Sequence, residues 1–469
     1  MQRLSGLDAT FLYLESSSNL MHVASTAVFD PSTVPGGYTF EGVKELVASR
    51  LHLLPPFRRR LVEVPFQLHH PMWIEDPDFD LDYHMRRAAL PAPGGEQELA
   101  EFAADVMGRA LDRSRPLWEM YVIEGLENGL IATVTKTHHA AIDGVSGNEL
   151  TVNLLDMQPE PTVMEPDTEW KADRVPTDLE MVTYAMSSLA RQPVLGVKAV
   201  RRTVEAAVTL RRRNRQPEIT PPPAPFSAPN TSLNGAITGR RKFAFTQLPL
   251  DDVKMIKNAL GGTVNDVVLA LCAGALRTYL AGRDELPADP LVAMVPISVR
   301  TEDLKGAMGN QVSQMLVSLA TSVADPVERL HTISNGTDGA KEQEKAIGAE
   351  TLMNWAEFAA PAVAARAARL YSNMKLADRH RPLFNVTISN VPGPNFPLYS
   401  AGSRMVAMYP MGPVADGGGL NITVMSYMGT MFFGLVACAD TVPEVWDIAH
   451  GLDAALDELR KAAEKSSGS

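Results

Sequence analysis

Residues 135–147 read TKTHHAAIDGVSG: two adjacent histidines, His138 and His139, then Asp143 four residues after the second, then Gly144. Just upstream, GLIATVTKTHH (129–139) is rich in β-branched residues and predicts a strand. PLWEMYVIEG (116–125) predicts another, and LENG (126–129) a turn between them, so the two form a hairpin or a neighbouring pair.

Successive side chains of a strand point to opposite faces. His138 and His139 therefore cannot serve one site together. Behind His139 on its face come Thr137, Thr135, Thr133 and Ile131, a small and partly polar row that could line a channel between lobes. Behind His138 come Lys136, Val134, Ala132 and Leu130, so His138 braces the other side. Asp143 precedes Gly144, where the chain must turn into a predicted helix, GVSGNELTVNLLDM (144–157). Asp143 either orients the imidazole or anchors the turn through an ion pair. The anchor is preferred, because a reactive group at a strand end needs rigid support. Arg300, closing the strand LVAMVPISVR (291–300), is the plausible cationic partner.

Three readings of the pair stay open: a structural histidine cluster, a metal site, and a general base. Adjacent strand histidines diverge and no further His/Cys cluster lies in sequence reach, which argues against metal. A base suits histidine, whose ordinary pKa is near neutrality. No GxSxG elbow is present, and Cys272 and Cys438 lie in apolar runs as buried core thiols. A base without an enzyme nucleophile implies a substrate that brings its own, such as a hydroxyl.

The 469 residues suffice for several domains of roughly 100–200 residues each. With 45% hydrophobic and 21% charged residues the chain is an ordinary folded protein, and a net charge of -12 makes nucleic acid a poor partner. No apolar leader opens the sequence, and the longest apolar run, VVLALCAGAL, stops at Arg277, short of the ~18 residues of a spanning helix. A cytoplasmic protein is expected, one that could rest on a membrane surface.

Segment 1–158 mixes strands with the helices EGVKELVASRLHLL, ending at Pro55-Pro56, and EQELAEFAADVMGRALD. Segment 159–235 is proline-rich linker around a basic stretch, ARQPVLGVKAVRRTVEAAVTLRRRNR. Its valines at positions 197, 200, 204 and 208 give a crossover helix one apolar face. That helix reads as a solvated surface helix or as one attracted to anionic lipid. Segment 236–469 returns to mixed α/β: the helices TVNDVVLALCAGALRTYLAG, AETLMNWAEFAAPAVAARAARLYS and VPEVWDIAHGLDAALDELRKAAEK, the strand FNVTISNVPGP, the hairpin NITVMSYMGTMFFGLVACAD and a disordered tail, KSSGS.

HHAAIDG matches the HHxxxDG motif of CoA-dependent acyltransferases and peptide-synthetase condensation domains. With LSGLDATFLYLE, PLWEMYVIEGL, TVNDVVLA, VPISVR, MGNQVS, ISNVPGP and LNITVMSYMG in order, the chain resembles the bacterial wax ester synthase/diacylglycerol acyltransferase family over nearly its whole length. The DFGWG motif of the plant branch is absent, and ADGGGLNI stands in that region. The resemblance implies an α/β fold of two chloramphenicol-acetyltransferase-like lobes, mixed sheets flanked by helices, with a tunnel at their interface. It implies acyl-CoA as co-substrate, no cofactor or metal, and diacylglycerol or a long-chain alcohol as acceptor. Products are then triacylglycerol or wax ester. Separately, the protein is expected in the cytoplasm, with a peripheral place at the inner membrane face or on lipid droplets as a further option. His139 is implied as the catalytic base, with no acyl-enzyme. Alternatives are a condensation-type acyltransferase using a carrier-protein thioester and a non-catalytic lipid-binding protein on droplets.

Acyl transfer through a tetrahedral oxyanion needs fixed donors. Asn265 is the first candidate: Thr263 and Asp266 already make a T-x-x-D capping pattern, which leaves the Asn265 amide available. Its alternative is itself a helix cap. Ser389 and Asn390 in ISNVPGP come second, with a plain strand-to-loop transition as their alternative, and Asn310 in MGNQ third. Trp118 is expected in the lobe core. Arg58-Arg59-Arg60 would meet CoA phosphates or lipid headgroups, or be solvated surface.

Overall fold

The computed structural model describes residues 2–34, 36–142, 152–162, 164, 170–189, 222–298, 312–347 and 361–467. In chain order these form β1 (Gln2–Arg3), α1 (Gly6–Leu14), β2 (His22–Asp30), α2 (Phe40–Arg50), α3 (Pro55–Arg58), β3 (Arg59–Val62), β4 (Met72–Glu75), α4 (Leu81–His84), β5 (Met85–Ala89), α5 (Glu96–Met107), β6 (Trp118–Glu124) and β7 (Ile131–His138). There follow α6 (Asp178–Leu189), β8 (Arg241–Pro249), α7 (Leu250–Leu260), α8 (Val264–Ala281), β9 (Val292–Ser298), β10 (Val312–Ser318), α9 (Pro326–Ile347), α10 (Pro361–Asn373), β11 (Val386–Pro392), β12 (Tyr399–Ser400), β13 (Ser403–Met411), β14 (Leu420–Tyr427), β15 (Thr430–Cys438) and α11 (Val445–Ser467).

The strands make two six-stranded sheets, ordered β12-β13-β2-β7-β6-β5 and β10-β9-β11-β14-β15-β8, and a small sheet β1-β4-β3. Both large sheets are mixed: β5 runs parallel to β6, β11 runs parallel to β9 and β14, and the other pairs are antiparallel. The hairpin β6–β7 forms as the alternation predicts. Gly125, Asn128 and Gly129 in its connection take positive φ, the conformation that Gly and Asn tolerate best.

Helix α8 is the apolar run of the sequence. Its side chains from Val267 to Ala273 are buried under the second sheet with α11 and α9, so a helix long enough to cross a membrane is here a core element. Burial pushes the Cys272 thiol in this helix up to about 12, which keeps it inert. A capping box starts the helix. Thr263 Oγ1 accepts the Asp266 N–H at 3.2 Å, and Asp266 Oδ2 accepts the Thr263 N–H at 2.8 Å.

Strands β12 and β13 lie in the 236–469 segment, yet β13 pairs antiparallel with β2 and completes the sheet of the 1–158 segment. It also packs across β14 and β15 of the other sheet. One hydrophobic cluster therefore holds Phe29 and Ile123 of the first sheet together with Phe245, Phe432 and Val436 of the second.

Three local readings are corrected. Pro55-Pro56 open the short helix α3, where a missing N–H costs nothing, after α2 has ended at Arg50. KSSGS is helical through Ser467. The linker segment contains α6, whose Met181 and Ala185 pack against Val64. The basic crossover helix and most of the predicted helix after Gly144 lie outside the described residues.

Candidate active site

A cavity of about 480 Å³ lies between the two large sheets. Thr133, Thr135, Thr137 and His139, the row deduced from strand periodicity, form one wall. Facing residues come from β11 and β14 of the other sheet, and Met408, Pro410 and Met411 of the crossing strand β13 contribute as well. Its first-lobe end is apolar, with Val43, Val47, Phe57 and Met120. Ile131 falls short of the cavity and packs in the inter-sheet core.

His139 is half-buried at the end of β7. Its backbone N–H donates to the Met21 carbonyl at 2.9 Å. Phe11 of α1 lies flat on the imidazole, with ring centroids 4.1 Å apart and planes 11° from parallel. The sequence reading missed Phe11, although Leu7, Phe11 and Leu14 recur at helical spacing and all three face the cavity.

His138 points the other way and is sealed from solvent. Its Nδ1 accepts the Ala140 N–H at 3.0 Å, which tightens the turn after the strand, and its Nε2 lies 3.6 Å from Glu15. Glu15 in turn accepts a hydrogen bond from Arg113 Nε at 2.9 Å. Burial holds the His138 pKa below that of an ordinary imidazole, with Glu15 pulling only part of the way back. His22, edge-on to His138 at 5.8 Å, is depressed further, by burial first and then by His138 and Lys136. Burial would raise the Glu15 carboxyl, but His138 and Arg113 more than offset that and it stays below its usual value. Also on this face, the buried Lys136 donates to the carbonyls of Val106 and Arg109, each at 3.0 Å, closing the C-terminal end of α5.

Ser389 and Asn390 both line the cavity, where β11 runs out toward Pro392. Ser389 pairs in register with Thr423 of β14, which also faces the cavity. Asn421 and Thr423 were not foreseen, yet β14 alternates Asn421, Thr423 and Met425 into the cavity with Ile422 and Val424 into the core. Asn265 is placed differently. It sits half-buried in the first turn of α8 and is not among the described residues lining the cavity, so the capping box holds it without aiming it there. Asp143, Gly144, Arg300 and Asn310 lie outside the described residues.

Trp118 is in the core as expected, stacked between Phe57 and His84, with Nε1 donating to the Phe57 carbonyl at 2.8 Å. The arginine triplet is engaged by acids: Arg58 and Arg59 with Glu75, Arg60 with Asp76.

Residues 4–268 match the profile of the wax ester synthase/diacylglycerol acyltransferase catalytic domain, and residues 308–460 that of the WS/DGAT C-terminal domain. The chain belongs to this family. It is an acyltransferase, and the resemblance read from the ordered motifs is a family relationship. A Mycobacterium tuberculosis H37Rv protein that carries the name diacylglycerol O-acyltransferase is 40% identical over 465 residues, covering 99% of this chain and 91% of its own. The solved WS/DGAT of Marinobacter aquaeolei VT8 is 32% identical with a TM-score of 0.68, covering 99% of this chain and all of that one. A starter condensation domain of rhizomide synthetase shares the fold at 12% identity and a TM-score of 0.58, over 100% of this chain and 94% of its own.

Proposed function

We propose that this WS/DGAT chain moves a long-chain acyl group from acyl-CoA to the hydroxyl of diacylglycerol, giving triacylglycerol, and also to a long-chain alcohol, giving wax ester. The observation that carries the reading is His139 at the end of a threonine-lined wall, in an apolar cavity built by both sheets. His139 takes the acceptor proton as the alcohol oxygen attacks the thioester carbonyl. The tetrahedral intermediate then expels CoA thiolate, which the imidazolium protonates, so no acyl-enzyme and no resident cofactor are needed. Ser389 and Asn390, which line the cavity, are the candidate donors to the oxyanion, and removing a true donor costs roughly 10²–10³ in rate. Asp143, with Gly144 and Arg300, is assigned the support of the turn. The working place is the cytoplasmic face of the membrane or a lipid droplet.

The test is release of free CoA, with triacylglycerol formation, from purified protein, a long-chain acyl-CoA and diacylglycerol. His139→Ala should abolish both, and retained turnover in that variant would remove the proposed base. An acyl-carrier donor run in parallel should be inert. Preference for it would move the chain to carrier-dependent condensation chemistry, and ligand binding without turnover on either donor would make it a lipid-binding protein.

A further inference from the structure

A second cavity, of about 590 Å³, lies behind α1. Helix α1 presents Leu7 and Phe11 to the catalytic cavity and, from its opposite face, Leu12 and Tyr13 to this one. Val64 and Gln67 of the loop after β3 form one wall, and Ala365 and Arg369 of α10 another.

The rim of this cavity is apolar and exposed. Phe66, between Val64 and Gln67, is 88% exposed, and both Phe66 and Gln67 hold positive φ, at 58° and 52°. That left-handed conformation is costly for side-chain-bearing residues. Across the mouth, α10 turns Ala365 inward and leaves Val363 67% and Leu370 57% exposed. Met374, Leu383 and Phe226 are exposed as well, with Phe226 edge-on to His380.

The same surface has an excess of cations in a chain whose net charge is -12, although the exposed Glu63 also lines this cavity. Between residues 361 and 381 stand Arg366, Arg369, Lys375, Arg379 and Arg381, all exposed, against a single acid, Asp378. Asp378 is exposed as well, and its Oδ1 accepts the Ala236 N–H at 2.7 Å. None of the five cations is ion-paired to an acid among the described residues.

Exposed apolar side chains interleaved with exposed cations match the two layers of a lipid interface: acyl chains for the first, phosphates for the second. In a protein that is acidic overall, a cationic patch of this kind turns toward an anionic surface and so biases the orientation in which the protein meets it. We propose that this rim is where the protein lies on an anionic lipid surface, Phe66, Val363 and Leu370 entering the headgroup layer and the cations of α10 meeting its phosphates. The choice of lipid over another partner rests on the reading above, since the acceptor resides in that phase.

Flotation of the full chain with phosphatidylcholine vesicles, with and without phosphatidylglycerol, tests this independently of turnover. Wild type should bind the anionic vesicles, less so at high salt. The triple variant Arg366→Glu, Lys375→Glu, Arg379→Glu should bind them roughly a hundredfold or more weakly, at about 1 kcal/mol per charge near the surface. Phe66→Ser with Leu370→Ser should weaken binding to both vesicle types. All these variants should keep the circular dichroism spectrum and melting midpoint of the wild type, which shows that they fold whether or not any acceptor is acylated. Vesicle binding that is lost in the variants supports the surface even if no acceptor is ever acylated. Binding that the substitutions leave unchanged overturns it. So does a dimer that they dissolve, which would assign the patch to a second copy of the chain.

Discussion

Phe11 and Glu15, four residues apart at the end of α1, hold the two histidines in different ways. Phe11 fixes the plane of His139 by stacking, and Glu15 reaches the buried His138. Since His139 becomes cationic during turnover in the proposed mechanism, the Phe11 face also favours its charged state, by about 0.5–2 kcal/mol for a cation over a ring. Phe11→Leu should therefore lower kcat roughly 2- to 30-fold, with little change in KM for acyl-CoA, while Phe11→Tyr stays near wild type in steady-state kinetics. The neutral His22 and His138 make a prediction about acid. Both have folded pKa values below the ordinary 6.5, so as pH falls through 6.5 the unfolded chain takes up protons that the folded chain refuses. Stability is thus full above that pH and is lost below it, at up to about 1.4 kcal/mol per pH unit for each group. Thermal melts between pH 7.5 and 5.5 should show a falling midpoint, and His22→Gln should flatten the slope. The opposite facing of His138 and His139 was legible in the sequence because strand geometry alone separates their sides. Phe11 and Glu15 were not, because the partner that a helix offers a strand is fixed only by tertiary packing. Asn265 shows the converse: its capping context was legible, but the direction of its side chain was not.

Among the elements, β13 is the one whose place decides the cavity. Gly434 of β15 presses against it so closely that a Cβ there would stand 1.8 Å from the Pro410 carbonyl oxygen. Gly434→Ala should force the two strands apart, at a cost of about 1–3 kcal/mol, and should cut activity through the displaced Met408 and Met411. Urea titration alongside an activity assay measures both effects. The neighbouring hairpin β14–β15 was plain in the sequence, since two alternating apolar runs flank Met428-Gly429, both at positive φ. Strand β13 was not, because SRMVAMYPM carries a proline and its partner is remote in sequence. The capping box of α8 was readable from T-x-x-D. Its further anchor, Thr337 donating to Asp266 at 2.6 Å, comes from α9 and could not be read locally.

At the scale of the whole molecule, the shared hydrophobic cluster and the crossing strand make the two lobes one thermodynamic unit. Calorimetry should record a single unfolding transition, and a chain cut at residue 235 should fail to give a soluble, folded first lobe, as circular dichroism and gel filtration would show. Two mixed α/β lobes followed from the family resemblance, while the exchange of a strand between them followed from nothing local.

That exchange has a cost while the protein is being made. Thr26 in β2 must wait for Met411, 385 residues later, before its side of the sheet is covered. At roughly 5–20 residues per second, the nascent first lobe leaves the ribosome with an unpaired β edge for about 20–80 s. An edge bare for so long is a template for pairing with neighbouring chains. Yield in the cell should therefore depend on translation speed and on chaperones that shield β2, even where the finished enzyme is stable.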